Sequence, residues 1–145
     1  MNNRELKFRV WITDSKQMVY SFRINSQTGK FISFGNDEKW SDQWQIMQYT
    51  GLLDKNENAI YEGDIIETHI LDNFIEDLSE FKYILMVYWD NLHSQWWAKD
   101  TNIDPYMCQR FPFYGGQYEI LLEKTEIVGN IFENKDLLKS SILEN

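Results

Sequence analysis

The chain is expected to be all-β, a compact barrel or sandwich of short antiparallel strands with a short C-terminal helix. Three observations carry that expectation. Apolar and polar side chains alternate through much of the first half, the period-two mark of a half-buried strand. The alternating runs are separated by short clusters of Asn, Asp, Ser, Thr and Gly, which supply tight turns. Strands do not alternate with long helical stretches, so a parallel βαβ sheet is not indicated.

In order along the chain, Lys7-Phe8-Arg9-Val10-Trp11-Ile12 places Phe8, Val10 and Ile12 on one face and Lys7, Arg9 and Trp11 on the other. Thr13–Lys16 is the turn into a second alternating run, Met18, Tyr20, Phe22 and Ile24, and the two runs make a hairpin. Asn25–Gly29 turns again before a short strand at Lys30–Phe34. Polar residues 35–45, with Trp40 and Trp44 four apart, fit a helical turn or a loop equally. Ile46–Thr50 reads as a strand ended by Gly51, and Asp54–Asn58 as a polar turn. Ile60-Tyr61 then leads into Glu62-Gly63-Asp64, where Gly63 permits a bend that other residues resist.

β-branched residues resume at Ile65–Ile70. Leu71, Phe74, Ile75 and Leu78 follow i, i+3, i+4, i+7 spacing, so a minor helix near residues 71–81 competes with irregular structure. Tyr83–Trp89 is apolar on both faces, as a central strand covered on two sides would be. Asp90–Ser94 is its turn and Gln95–Ala98 its return. Thr101–Gly116 holds both prolines and the Gly115-Gly116 pair, and reads as a long loop. Tyr118–Leu122 and Glu126–Phe132 are the last strands, with Gly129 a bulge or close-contact point. Asn134 stands where it can N-cap a short helix carrying Leu137, Leu138 and Ile142. The expected organisation is one β-rich domain over residues 1–134 and a short helical tail over 135–145.

Composition narrows the function. The 145 residues suit one domain, and the 43% hydrophobic share suits a packed core rather than disorder. Nine Phe, eight Tyr and six Trp are enough large rings to anchor that core. The formal charge of −9 repels nucleic-acid phosphate and anionic membranes, and no Lys/Arg cluster offsets it, so neither is an expected partner. The same charge motivates an alternative reading as an acidic DNA mimic that blocks a host DNA-binding enzyme. Cys108 is the single cysteine, as in a reducing cytoplasm. The N-terminus has no apolar signal core, and Tyr83–Trp89 is far shorter than the ~20 residues that span a bilayer. A cytoplasmic location follows as the expectation.

Residues able to carry chemistry are few. His69 and His93 lie far apart in sequence, and with Cys108 they make only three scattered nitrogen or sulfur ligands, against the four of a structural zinc site. A Cys108–His pair is the one nucleophile–base arrangement that folding can assemble; a thiol resting in a loop or partly buried is the simpler reading. Glu62 and Asp64 flank Gly63 and offer hard oxygens to a cation, whereas turn capping by Asp64 asks less of the sequence. No phosphate-binding or nucleophile-elbow motif occurs. Trp96-Trp97 and Phe111-Pro112-Phe113-Tyr114 are candidates for core, interface or stacking platform; adjacent Trp residues usually split between core and rim. No catalytic, cofactor-binding or metal-binding residue is assigned, no cofactor is expected, and the chain is read as not an enzyme.

Four stretches are distinctive when taken together: Lys7-Phe8-Arg9-Val10-Trp11, Met18-Val19-Tyr20, the run Ile46-Met47-Gln48-Tyr49-Thr50-Gly51-Leu52, Asp54-Lys55-Asn56 and Ile60-Tyr61-Glu62-Gly63-Asp64-Ile65-Ile66, and the ending Glu126-Ile127-Val128-Gly129-Asn130-Ile131-Phe132-Glu133-Asn134. Together they resemble the YopX family of small phage and prophage proteins. Two places depart: Glu57 stands where the family's turn usually has Gly, which suggests a different turn type, and Leu71–Gly116 shares little with other members. The resemblance implies a phage or prophage accessory protein of the bacterial cytoplasm that self-associates as a homo-oligomer and meets a host or phage protein. The family has no established activity, so no site residue is implied.

Overall fold

Residues 3–28, 31–33, 43–72, 74, 82–100 and 108–140 are described in this computed structural model. They fall into two compact units, residues 1–49 and 50–145. In the first, Phe8–Ile12 (β1) folds back on Gln17–Val19 (β2), Val10 opposite Val19, with Lys16 at φ 54 in the turn. The other edge of β1 takes the start of Gln45–Leu53 (β5), with Trp11 opposite Gln45. Val10 and Ile12 centre a small core with Val19, Phe22, Trp44 and Ile46. Arg9 and Trp11 are also buried, at 4% and 8% exposure, so β1 is covered on both faces rather than half-buried as its alternation suggests.

The second alternating run is not one strand. β2 stops at Val19, Tyr20 turns out to solvent, and Arg23–Ile24 (β3) makes a separate ribbon with Phe31–Ser33 (β4). Lys30, Phe34 and Trp40 lie outside the described residues. Gly51 does not end its strand either. It takes φ 85, and β5 bends through it to Leu53, where Ala59–Tyr61 (β6) pairs alongside.

The second unit is built around Asp64–Asp72 (β7), Lys82–Asp90 (β8), Gln95–Lys99 (β9), Arg110–Pro112 (β10), Tyr118–Ile120 (β11) and Glu126–Asn130 (β12). Their order is β10-β9-β8-β7-β11, with β12 beside the first half of β7. β10 comes round to β11, so the sheet is a nearly closed barrel. Cross-strand register puts apolar pairs inside: Ile66 faces Leu85, Val87 faces Ala98, Ala98 faces Phe111, and Ile70 faces Ile120. The small Ala98 leaves room for the Phe111 ring, which meets Tyr83 edge-on at 5.2 Å.

Thr68 is the polar exception inside. It is fully buried, and its hydroxyl lies 2.7 Å from that of Thr125, which in turn donates to the Leu121 carbonyl at 2.7 Å. The hydroxyls thus serve one another, as buried polar groups must.

β8 is central, as expected, but only Leu85 and Val87 are buried, while Ile84, Met86 and Tyr88 on the outer face are half-covered. The helix Lys135–Ser140 (α1) lies against β8. A helix beginning at Leu71 is ruled out. β7 runs through Leu71 and Asp72, which pair with Glu119 and Tyr118, because β11 supplies ladder partners that local periodicity does not reveal. Phe74 is in a turn, and Ile75 and Leu78 lie outside the described residues. The long loop at 101–116 contains β10, ending at Pro112. The strand from Tyr118 stops at Ile120, ahead of a single 3-10 turn at Leu122–Lys124.

Two junctions hold this unit's termini together. Asp54 is 5% exposed; one carboxylate oxygen accepts the backbone N–H groups of Asn56 and Asn58, and the other accepts that of Ile127 on β12 at 3.1 Å. At the far end of β12 the register shifts between Ile127 and Gly129, the expected bulge. Asn134 precedes α1 as a cap should, with its carbonyl accepting the N–H of Leu137. Its side-chain Oδ1, however, reaches back to the N–H of Asn130 at 3.1 Å.

Candidate functional site

Turn chemistry accounts for the most orderly carboxylate pair. Asp64 is 2% exposed and its Oδ2 accepts the N–H of Tyr61 at 2.7 Å across Gly63, which sits at φ 82. Among the described residues, no three His, Cys, Asp or Glu side chains gather as metal ligands. Cys108 donates to the carbonyl of Asp100 at 3.1 Å, and burial, reinforced by Asp100, pushes its thiol pKa up. A thiol held protonated is a poor nucleophile. His69 pairs across β7–β8 with Lys82, while His93 sits at the β8–β9 turn.

The aromatic candidates divide between inside and outside. Trp96, Phe111 and Phe113 belong to the barrel core. Trp97 points the other way, because successive strand residues alternate faces. It lies in register with Tyr88 on β8 and Pro112 on β10. The next row of that outer face brings together Met86, Lys99 and Arg110. Lys99 Nζ stands 4.8 Å from the Tyr88 ring centroid, within cation–π range. This is the cationic grouping that a scan for contiguous Lys/Arg runs misses; only the β9–β10 register assembles it.

His93 completes the strip. Its ring stacks on Trp97 with centroids 4.8 Å apart and an interplanar angle of 28°. Asp90 Oδ2 accepts the His93 N–H at 2.9 Å and contacts Nδ1 at 2.5 Å. The contact with His93, more than any other influence, draws the Asp90 pKa down. Burial pushes the Tyr88 hydroxyl pKa up against a smaller opposing pull from Arg110.

Beyond the strip, the β8–β9 hairpin end carries exposed apolar side chains. Trp89, Leu92 and Tyr114 are 39%, 86% and 84% exposed. Trp89 pairs with Trp96 and packs edge-on against it at 5.1 Å. The Phe113 N–H donates to the Trp96 carbonyl at 3.3 Å, which brings Tyr114 to the same end. Among the described residues the arrangement has no assembled nucleophile and base.

A family profile described as YopX protein matches residues 7–139. Among solved structures, the crystal structure of protein EF1440 from Enterococcus faecalis has a similar fold. Its TM-score is 0.54 at 24% identity, over 94% of this chain and 99% of that one. No curated protein matches. Among the described residues, no helix is long and apolar enough to cross a membrane.

Proposed function

This chain belongs to the YopX family, and from that premise we propose that it is a non-enzymatic accessory module that self-associates through the apolar end of its β8–β9 hairpin. The carrying observation is the exposure of Trp89 and Leu92 at the β8–β9 hairpin end and of Tyr114 on the loop after β10, which the Phe113 N–H ties to Trp96. With about 150–250 Å² for each large ring, the uncovered part of the three amounts to roughly 400 Å², a patch of the size that marks contact surfaces on single chains. A standard interface takes about 800 Å² from each partner. The patch supplies the apolar half and the surrounding polar residues the rim. A second copy fits because a two-fold interface needs the same patch on both sides. The phage or prophage setting, and the bacterial cytoplasm as its place of work, belong to this proposal.

Two copies that each carry −9 repel at long range, and salt screens that repulsion. Association through apolar contact therefore strengthens as salt is added. Size exclusion with light scattering at tens of micromolar, in low and high salt, reads this directly. The wild type is expected as a dimer or larger in high salt, and Leu92→Lys or Tyr114→Lys as a monomer with unchanged circular dichroism. A wild type that stays monomeric in both salts refutes the proposal.

A further inference from the structure

We infer that the outer face of β8–β10 is a receptor for an acidic segment of a partner protein, with Lys99 and Arg110 taking its carboxylates and Trp97 and Tyr88 its apolar side chains. This goes beyond self-association and uses a different part of the surface.

The first support is the state of the cations. Acids outnumber bases 23 to 14 in this chain, and Lys7, Lys55 and Lys82 each hold a carboxylate, at 2.9, 2.8 and 3.2 Å. Lys99 and Arg110, directly opposite one another in the β9–β10 register, form no ion pair among the described residues, although Arg110 acts at longer range on Asp90 and on the Tyr88 hydroxyl. Lys99 rests over the Tyr88 ring instead. The carboxylates nearest this cluster are otherwise engaged: Asp90 binds His93, and Asp100 accepts the Gln109 N–H at 3.1 Å. Two neighbouring cations with no ion pair among the described residues thus stand side by side in a protein with acid to spare.

The second support is the form of the surface around them. Rings beside cations suit a chain that alternates carboxylate with apolar side chains. Tyr, Trp and Arg are the residues that most often anchor protein contacts, and a guanidinium takes a carboxylate in two parallel hydrogen bonds. A nucleic acid is the poorer fit. Its affinity grows with the number of phosphates neutralised, and beyond these two cations a long polyanion meets a surface of net negative charge. A segment with one or two carboxylates asks for no more than Lys99 and Arg110 offer.

The test follows the Trp97 indole N–H resonance in isotope-labelled protein, identified by its loss in Trp97→Phe. The monomeric Leu92→Lys variant serves as the host, so the outcome does not depend on self-association. The probes are a short peptide of alternating Glu and Leu, the same peptide with Gln for Glu, and an oligothymidylate of equal charge. The Glu peptide is expected to move the Trp97 indole and the Lys99 and Arg110 amide signals, with affinity that falls as salt rises, opposite to the hairpin-end contact. Lys99→Gln with Arg110→Gln is expected to weaken it at least about tenfold while leaving the remaining spectrum in place. Three results overturn the inference: no response up to millimolar peptide, an equal response to the Gln peptide, or an oligothymidylate that acts at lower concentration.

Discussion

Gly129 is held tight by contact, not by backbone conformation, and that makes Gly129→Ala a sharp test of the β12–α1 junction. A Cβ built there meets Asn134 Oδ1 at 2.5 Å, its Cγ at 2.6 Å and its Cβ at 2.7 Å. Ordinary contact needs about 3.5 Å, so Asn134 must withdraw by nearly an ångström. That movement stretches its bond to the Asn130 N–H from 3.1 Å to roughly 4 Å, beyond hydrogen-bond range. Asn130 is 8% exposed, so its N–H is left nearly dry. An unpaired buried donor costs about 1–3 kcal/mol, and overpacking about as much again. Replacing glycine returns about 0.5–1 kcal/mol through the unfolded chain. The balance is a loss of about 3 kcal/mol, which at ~2–4 °C per kcal/mol lowers Tm by roughly 6–12 °C. Urea and thermal unfolding measure both.

The partner substitution matters as much as the first one. Asn134→Ala cannot relieve the clash, because the Asn134 Cβ is itself 2.7 Å away. Asn134→Gly can. In that background Gly129→Ala is expected to be neutral or to stabilise by about 0.5 kcal/mol, since strand glycine is itself unfavourable. A loss below about 1 kcal/mol in the wild type, or an equal loss in the Asn134→Gly background, refutes the contact as the cause.

Asp54→Asn sets an amide N–H against the donor of Ile127 and should cost about 1–3 kcal/mol at neutral pH by urea unfolding. Burial raises the Asp54 pKa, but hydrogen bonds from the Ile127, Asn58 and Asn56 backbone outweigh it, so the net shift is down from 3.8. Its stabilisation is therefore complete above pH about 4 and is lost as pH falls through the folded pKa; the gap between wild type and Asp54→Asn must close there, and a constant gap refutes the linkage. Glu57 sits at φ 65, the region glycine occupies most easily, so Glu57→Gly should raise stability by about 0.5–1 kcal/mol, and a loss of stability counters that. Thr68→Val leaves Thr125 its donor bond to the Leu121 carbonyl, and Thr125→Val leaves Thr68 the His69 carbonyl at 3.3 Å, so each should cost no more than about 1 kcal/mol; a loss above about 2 kcal/mol from either, measured by urea unfolding, rejects this partner assignment.

What could be read from the residues depended on whether the signal was local. The β1–β2 and β8–β9 hairpins, the turns at Asp54–Asn58 and Gly63, the Gly129 bulge and the split of Trp96 from Trp97 are written in neighbouring residues, and all are present. Where partners come from a distance, the reading fails. Leu71 and Asp72 carry a helical period yet join β7 because β11 arrives from residues 118–120 to pair with them. Tyr20 interrupts an alternating run because β3 turns away to pair with β4. Glu57 illustrates a third case: a residue that prefers negative φ is held at φ 65, because Asp54 fixes the N–H groups on either side of it. The candidate site belongs with the distant cases. Lys99 and Arg110 are separated along the chain, and no inspection of one stretch shows that they share a row.

The residues that set the backbone frame and the surface proposed for binding fall in different places. The matching stretches at residues 46–66 and 126–134 supply the Asp54 junction, the Gly63 turn and the Gly129–Asn134 contact. Each of these sets backbone geometry, and each would be needed whatever the protein bound. Trp89, Leu92, Trp97, Lys99, Arg110 and Tyr114 all lie between Leu71 and Gly116. Functional residues placed on loops and outer faces of a rigid scaffold can vary without disturbing the core. On this physical ground the outer face of β8–β10 can be altered while the barrel frame is kept. Charge reversal at Lys99 and Arg110 should therefore change what is bound without lowering Tm by more than about 1–2 °C, because exposed substitutions rarely move stability by more than ~0.5 kcal/mol. A large thermal loss from that reversal would instead assign the two cations to the frame, and the binding face would have to be sought elsewhere.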